Sequence, residues 1–261
     1  MSIDIEALKA IVLEAGDLAR RHYGRTSVRL KADQTFVTEA DEAIEAFLKA
    51  ALAGLAPDFG YIGEETDENR EPRNGATCSW IVDALDGTRA FAAGMPLWTP
   101  AVCLMDGARP VAGAAINPVT GELFWAGPQG GAFCNDEPLA PDLSLELAPN
   151  SFLFGPTNHH KSFSIDFPGR VYCLGAPIYQ LCLLAKGAVR GLFFDRSINL
   201  WDLALPSLLL ERVGAVMVYA SGRPVDLGAL MDRSKIPEAL YAGGPETVAM
   251  MREKIVPRAG R

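Results

Sequence analysis

Histidine is scarce in this chain: His22, His159 and His160 are the only three among 261 residues. None stands at a zinc-like spacing from a cysteine, which argues against a zinc site, and His159-His160 reads as part of a loop with no assigned role. Cysteine is sparse and unpatterned. Cys78, Cys103, Cys134, Cys173 and Cys182 form no CxxC pair, and the odd count of five favours reduced thiols over a disulfide framework. Several lie in apolar runs and read as small core residues. Positive charge is in deficit, with 24 Lys and Arg against 32 Asp and Glu and a net charge of −8. That argues against the basic surface of a general nucleic-acid binder, and no nucleic-acid partner is expected. It still admits an anionic substrate, because bound divalent cations reverse the local field. No uncharged apolar run approaches the roughly 20 residues of a membrane span, so no membrane partner is expected. The opening residues lack the basic segment and apolar core of a secretory signal, and a cytoplasmic location is expected.

What remains is an apolar content of 49% with 21% charged residues, enough for one large core or two joined halves. Helical spacing runs through 3–23, and Thr38 with Asp41 resembles a capping box opening a second helix that ends near Gly54 or Pro57. Residues 28–32 read as a short extended segment, 59–63 and 80–82 as strands, and 66–75 as a charged loop. Strand signals follow at 101–105, 110–116 and 122–126, with Asp106-Gly107 as a hairpin turn. This is an antiparallel meander, unlike a run of βαβ units. The segment 136–149 is the best boundary between halves. Beyond it, 152–154, 171–174, 189–194 and 215–219 read as strands, and 177–186 and 200–213 as helices.

Acidic residues cluster at element ends. Glu64 and Glu65 follow one strand, Asp83 and Asp86 end another, and Asp202 opens a helix. Taken alone each has an ordinary reading: a solvated turn for Glu64-Glu65, a helix cap for Asp202. Asp83 and Asp86 flank Leu85, so two carboxylates and the Leu85 carbonyl can face one hard, oxygen-loving cation such as Mg²⁺. Gly87 and Thr88 then offer backbone N–H groups and a hydroxyl to an anion. Metal and anion together point to phosphate chemistry.

Gly63-Glu64-Glu65, then Trp80-Ile81-Val82-Asp83-Ala84-Leu85-Asp86-Gly87-Thr88, then Trp201-Asp202-Leu203-Ala204 resembles the inositol monophosphatase family of metal-dependent, lithium-sensitive phosphatases. Order and spacing agree from Lys31 to Ala215. The resemblance implies an α/β (α+β) fold, a layered αβαβα sandwich of the inositol monophosphatase and fructose-1,6-bisphosphatase type. It implies a single domain over 1–261, with a metal-site half of about 1–140 and a substrate-side half of about 141–261, commonly assembled as a homodimer. It implies two or three Mg²⁺ ions held by Glu64, Asp83, the Leu85 carbonyl, Asp86 and Asp202. Glu64, Thr88 and Asp41 are the implied catalytic residues: Glu64 helps hold the attacking water, and Thr88 paired with Asp41 orients it. For Asp41 the capping-box role stands beside this one. Gly87, Thr88, Arg89, Asp195, Ala176 and Lys31 are the implied substrate contacts, although an exposed loop lysine is the plain alternative for Lys31.

Two departures stand out. Ala84 takes the place of the family's usual proline between its aspartates, which loses the fixed φ and keeps both carboxylates. Asp195 replaces a glutamate, Arg190 stands where many members have aspartate, and Gly175-Ala176 replaces a frequent Gly-Ser. These changes fall where substrate choice is set. The expected activity is Mg²⁺-dependent hydrolysis of a small phosphorylated polyol, inositol 1-phosphate by default, through attack of a metal-activated water. Residues Thr88-Arg89-Ala90-Phe91 and the Gly94, Pro96 and Trp98 that follow also resemble histidinol-phosphate phosphatases. Nucleotide 3′-phosphatase and fructose-1,6-bisphosphatase activities are further relatives. A non-catalytic metal-binding regulator of the same fold is the alternative of a different class.

Overall fold

The computed structural model describes residues 3–30, 36–66, 69–144 and 150–258. Helix α1 (Ile5–His22) opens on Asp4, whose carboxylate accepts from the Ala7 N–H, and it buries the stripe Leu8, Val12, Ala15 and Ala19. Strands β1 (Val28–Leu30) and β2 (Phe36–Thr38) pair antiparallel and lead into α2 (Glu39–Leu55). Thr38 and Asp41 form the expected capping box there.

A seven-stranded sheet follows in the order β3 (Gly60–Gly63), β4 (Cys78–Asp86), β5 (Thr99–Asp106), β6 (Arg109–Asn117), β7 (Glu122–Ala126), β8 (Phe133–Cys134) and β9 (Glu137–Pro138), with the short helix α3 (Thr88–Ala92) between β4 and β5. β3 runs parallel to β4, and the remaining pairs are antiparallel. The chain continues through β10 (Phe152–Phe154), α4 (His159–Ser162), β11 (Phe163–Ile165), β12 (Arg170–Tyr172), α5 (Pro177–Ala185), β13 (Gly191–Phe194), α6 (Leu200–Arg212), β14 (Val216–Tyr219), β15 (Leu240–Gly243), α7 (Pro245–Lys254) and β16 (Ile255–Pro257). A five-stranded second sheet takes the order β12-β10-β13-β15-β14.

Apolar faces decide how these elements stack. Trp80, Val82 and Ala114 on one face of the first sheet pack with Leu8 and Val12 of α1 and Ile44 and Leu48 of α2. Ile81, Cys103 and Ala115 on the opposite face join Leu181, Leu203 and Leu208 of α5 and α6 and Leu192 and Ala242 of the second sheet. Phe193 and Tyr241 then turn outward against Val248 and Met251 of α7. The layers are therefore αβαβα, as the motifs imply. No helix among the described residues is long and apolar enough to cross a membrane.

Some elements differ from expectation. The strand read at 80–82 extends over Cys78–Asp86 and is buried throughout. A buried strand runs near-continuously apolar and loses the alternation that marks its ends. Residues 159–162 form the one-turn helix α4 in place of a loop. β2, β15 and α7 carry no strong periodic signal. Lys31 lies outside the described residues.

Candidate active site

Asp83 and Asp86 are separated by an odd step, so in a regular strand their side chains would point to opposite faces. They do not, because β4 is irregular there. Asp83 pairs with Ala101 and Asp86 with Thr99, so three steps on β4 oppose two on β5. The extra residue is a β-bulge, and it turns both carboxylates toward α5 and α6. Ala84, at the usual proline position, sits within this bulge and is buried. The Asp83 carboxylate accepts from the Leu85 N–H at 2.9 Å, which closes the kink locally.

Three other elements deliver the rest. Gly63 lies opposite Val82 in the parallel β3–β4 pair, and the Glu64 N–H donates to the Val82 carbonyl at 3.1 Å, so Glu64 stands beside Asp83. Asp86 accepts from the Tyr179 N–H at the start of α5 at 3.0 Å. Asp202, in the first turn of α6, accepts from the Asn199 N–H at 2.7 Å and so caps its helix as well. Oxygens of Asp83, Asp86 and Asp202 lie within 4.8 Å of one another, and all three residues are buried.

Such crowding has an electrostatic cost. Burial, then the charges of Glu64, Asp86 and Asp202, holds the Asp83 carboxyl well above the usual carboxylate range. Burial and Asp202 do the same to Asp86, against the opposing N–H groups of Tyr179 and Ile178. Burial pushes Asp202 up to about 6, with Asn199 and the distant charge of Lys235 pulling the other way. An all-oxygen, acidic, buried donor set of this kind fits a hard divalent cation.

Beside the cage, the Thr88 hydroxyl lies 3.0 Å from Asp41 Oδ1 and 3.1 Å from the Leu85 carbonyl. Asp41 Oδ2 accepts from the Thr38 N–H at 2.8 Å and from its hydroxyl at 2.5 Å. Asp41 thus caps α2 and accepts from the Thr88 hydroxyl at once, and burial raises its pKa despite these donors. Gly87, with φ of +85°, precedes α3; a Cβ there would lie 2.4 Å from the Leu97 carbonyl oxygen. A cleft of about 340 Å³ opens over these groups, walled by Glu64, Thr88, Arg89, Gly175, Gln180 and Asp195.

Glu64, Asp83, Leu85, Asp86, Asp202, Thr88 and Asp41 are thus brought together, with Gly87, Arg89 and Asp195 on the cleft wall. Ala176 is fully buried, its methyl 3.0 Å from where a Gly87 Cβ would stand, so it shapes the wall by packing. Arg190 is a correction to the sequence reading. It pairs with the Asp142 carboxylate at 2.8 Å and anchors the connecting segment, away from the cleft.

Three contributors escape the sequence reading. Glu45 of α2 accepts from the Glu65 N–H at 2.8 Å and from the Thr66 hydroxyl. Arg233 donates to the Gly63 carbonyl at 3.0 Å and the Glu64 carbonyl at 3.4 Å, and its guanidinium lies 5.1 Å from the Trp201 ring centroid. Gln180 is buried with its amide nitrogen unpartnered among the described residues, at the cleft wall. Only Gln180 left a trace, as a lone amide inside an apolar helix.

Layered fold and buried carboxylate cage together define a hydrolase built around a metal-ready acidic centre. The chain belongs to the inositol monophosphatase family, whose model matches residues 2–243. It is 29% identical over 259 residues to a histidinol-phosphatase of Chlorobaculum parvum, covering 95% of this chain and 96% of that one. It is 29% identical over 235 residues to an inositol-1-monophosphatase of Rhizobium meliloti, covering 84% and 87%. The extragenic suppressor protein suhB of Bartonella henselae has the same fold, with a TM-score of 0.81 at 23% identity over 95% of this chain and 96% of that one. The protein is a phosphoric monoester hydrolase of a metal-dependent family.

Proposed function

We propose that the protein hydrolyses the phosphate monoester of a small polyol, inositol 1-phosphate by default, with Mg²⁺ held by Glu64, Asp83, the Leu85 carbonyl, Asp86 and Asp202. The observation that carries this reading is the buried convergence of Asp83, Asp86 and Asp202 within 4.8 Å, beside the Thr88–Asp41 pair. Bound divalent cations would supply Lewis acidity toward the phosphoryl oxygens and the attacking water.

The chain's own groups do the positioning. With its proton given to Asp41, the Thr88 oxygen keeps lone pairs that accept a hydrogen bond from the incoming water and aim it. Glu64, across the β3–β4 pair from Asp83, holds that water from its other side. Backbone N–H groups at Gly87 and Thr88 face the phosphoryl oxygens, an approach only a glycine at positive φ permits. The alcohol leaves toward Asp195. Histidinol phosphate is the second reading, supported by the 29% identity to a histidinol-phosphatase.

The test is phosphate release from inositol 1-phosphate, histidinol phosphate, adenosine 3′,5′-bisphosphate and fructose 1,6-bisphosphate with Mg²⁺. Asp86→Asn is expected to lower turnover by roughly a thousandfold while the protein stays folded. Release from none of the four, or full activity in the variant, contradicts the reading.

A further inference from the structure

The hydrogen-bond donors in the first turn of α5 have partners, with one exception. Pro177 opens the helix and has no N–H. The Tyr179 N–H donates to Asp86 at 3.0 Å, and the Ile178 N–H faces the same carboxylate. The Gln180 N–H donates to the Ala176 carbonyl at 2.9 Å, and the Tyr179 hydroxyl to Glu122 at 2.6 Å. The cage and the helix itself therefore take up these backbone N–H groups, and the turn keeps none for a molecule in the cleft.

The exception is the Gln180 side chain. The residue is 1% exposed, and its amide nitrogen has no partner among the described residues. Its helix neighbours Ile178, Leu181, Cys182 and Leu184 are buried and apolar, so they offer no acceptor. A buried N–H without an acceptor lowers the stability of the fold that holds it. Other buried side-chain atoms lack partners too, Trp98 Nε1 and Thr99 Oγ1 among them. Of that set, Gln180 alone lines the cleft, together with Thr88, Gly175 and Asp195. On a cleft wall such a group discriminates between ligands, because only some of them bring the missing acceptor.

We infer that Gln180 selects the leaving alcohol, its amide N–H donating to a hydroxyl carried on that alcohol. The inference rests on the phosphatase reading and narrows the substrate class to esters of polyhydroxylated alcohols. A hydroxyl oxygen has lone pairs that accept the N–H. A methylene has none, and neither has an ammonium group such as that of histidinol phosphate. Either one leaves the amide unpaired in a site from which water is displaced, where that loss is largest. An ester without the hydroxyl is thus rejected by an unsatisfied group of the protein, with no clash required.

The test compares inositol 1-phosphate with cyclohexyl phosphate, the same six-membered ring without hydroxyls, and with histidinol phosphate, on the full chain with Mg²⁺. Gln180→Met and Gln180→Leu are apolar replacements of similar size. Each is expected to lower the kcat/KM preference for inositol 1-phosphate over cyclohexyl phosphate by roughly tenfold or more, and to narrow its preference over histidinol phosphate. The melting temperatures of both variants, free of ligand, are expected to stay level or rise, since the unpaired amide is gone. Equal losses for all three esters, or unchanged preferences, overturn the inference. So does a melting temperature lowered by about 5 °C or more in both variants, which means that the amide is bonded within the fold. An unaltered protein that prefers histidinol phosphate to inositol 1-phosphate overturns the inference and leaves the phosphatase reading in place. Phosphate release from none of the esters removes that reading and the inference with it.

Discussion

A threonine hydroxyl carries one proton, and at Thr88 two acceptors lie within reach of it. Asp41 is the stronger, being the charged one. That choice gives Asp41 a role a capping box alone would not need, and the two can be separated. Asp41→Asn keeps an oxygen at the third helical position and loses the charge that draws the Thr88 proton. Turnover is expected to fall by roughly a hundredfold or more, with KM and melting temperature nearly unchanged. An unaltered kcat, or a collapse of thermal stability, would mean that Asp41 serves the helix alone.

At the scale of elements, the site depends on where strands stop. β4 places two carboxylates on one face only because the bulge between Asp83 and Asp86 absorbs a residue. The segment after β3 is gripped from two sides, by Glu45 of α2 and by Arg233, far along the chain. Arg233 has a positive φ of 69°, uncommon for a residue with a side chain, and it stacks on Trp201, the neighbour of Asp202. It therefore ties the Glu64 segment to the start of α6. Arg233→Ala is expected to cost about 1–3 kcal/mol of stability through the loss of its hydrogen bonds to the Gly63 and Glu64 carbonyls. It should also weaken Mg²⁺ binding in calorimetry, although the side chain supplies no ligand atom. Loss of stability with Mg²⁺ affinity intact would reduce Arg233 to a packing role.

Over the whole molecule, the buried cage sets a pH dependence. Asp83, Asp86 and Asp202 have folded pKa values raised above the unfolded 3.8, Asp202 to about 6. Between about pH 4 and 6 the unfolded chain has released the Asp202 proton and the folded chain still holds it, so the metal-free protein loses stability as pH rises. For Asp202 the loss is on the order of 3 kcal/mol, complete above its folded pKa, and the raised pKa values of the two other aspartates add loss of the same sign. A divalent cation offsets the repulsion. Mg²⁺ is therefore expected to raise the melting temperature far more at pH 8 than at pH 5. Equal shifts at the two values would show that the carboxylates are not the seat of binding.

Much of this was legible in residue order. Helical periodicity marked α1 and α2, apolar runs broken by the Asp106-Gly107 turn marked the β5–β7 meander, and the Asp83-x-x-Asp86-Gly87-Thr88 group announced a cation beside an anion. These signals are local: each depends on neighbours a few residues away, where spacing along the chain is spacing in the structure. The bulge, the Glu45 and Arg233 grip and the pairing of Arg190 with Asp142 were not legible. Each joins residues whose proximity is created only by stacking the layers. The sequence by itself determined which groups could hold a cation and a phosphate. Tertiary packing decided which way they face, what holds them there and which charges line the cleft, because long-range electrostatics and side-chain direction depend on distances the chain acquires only on folding.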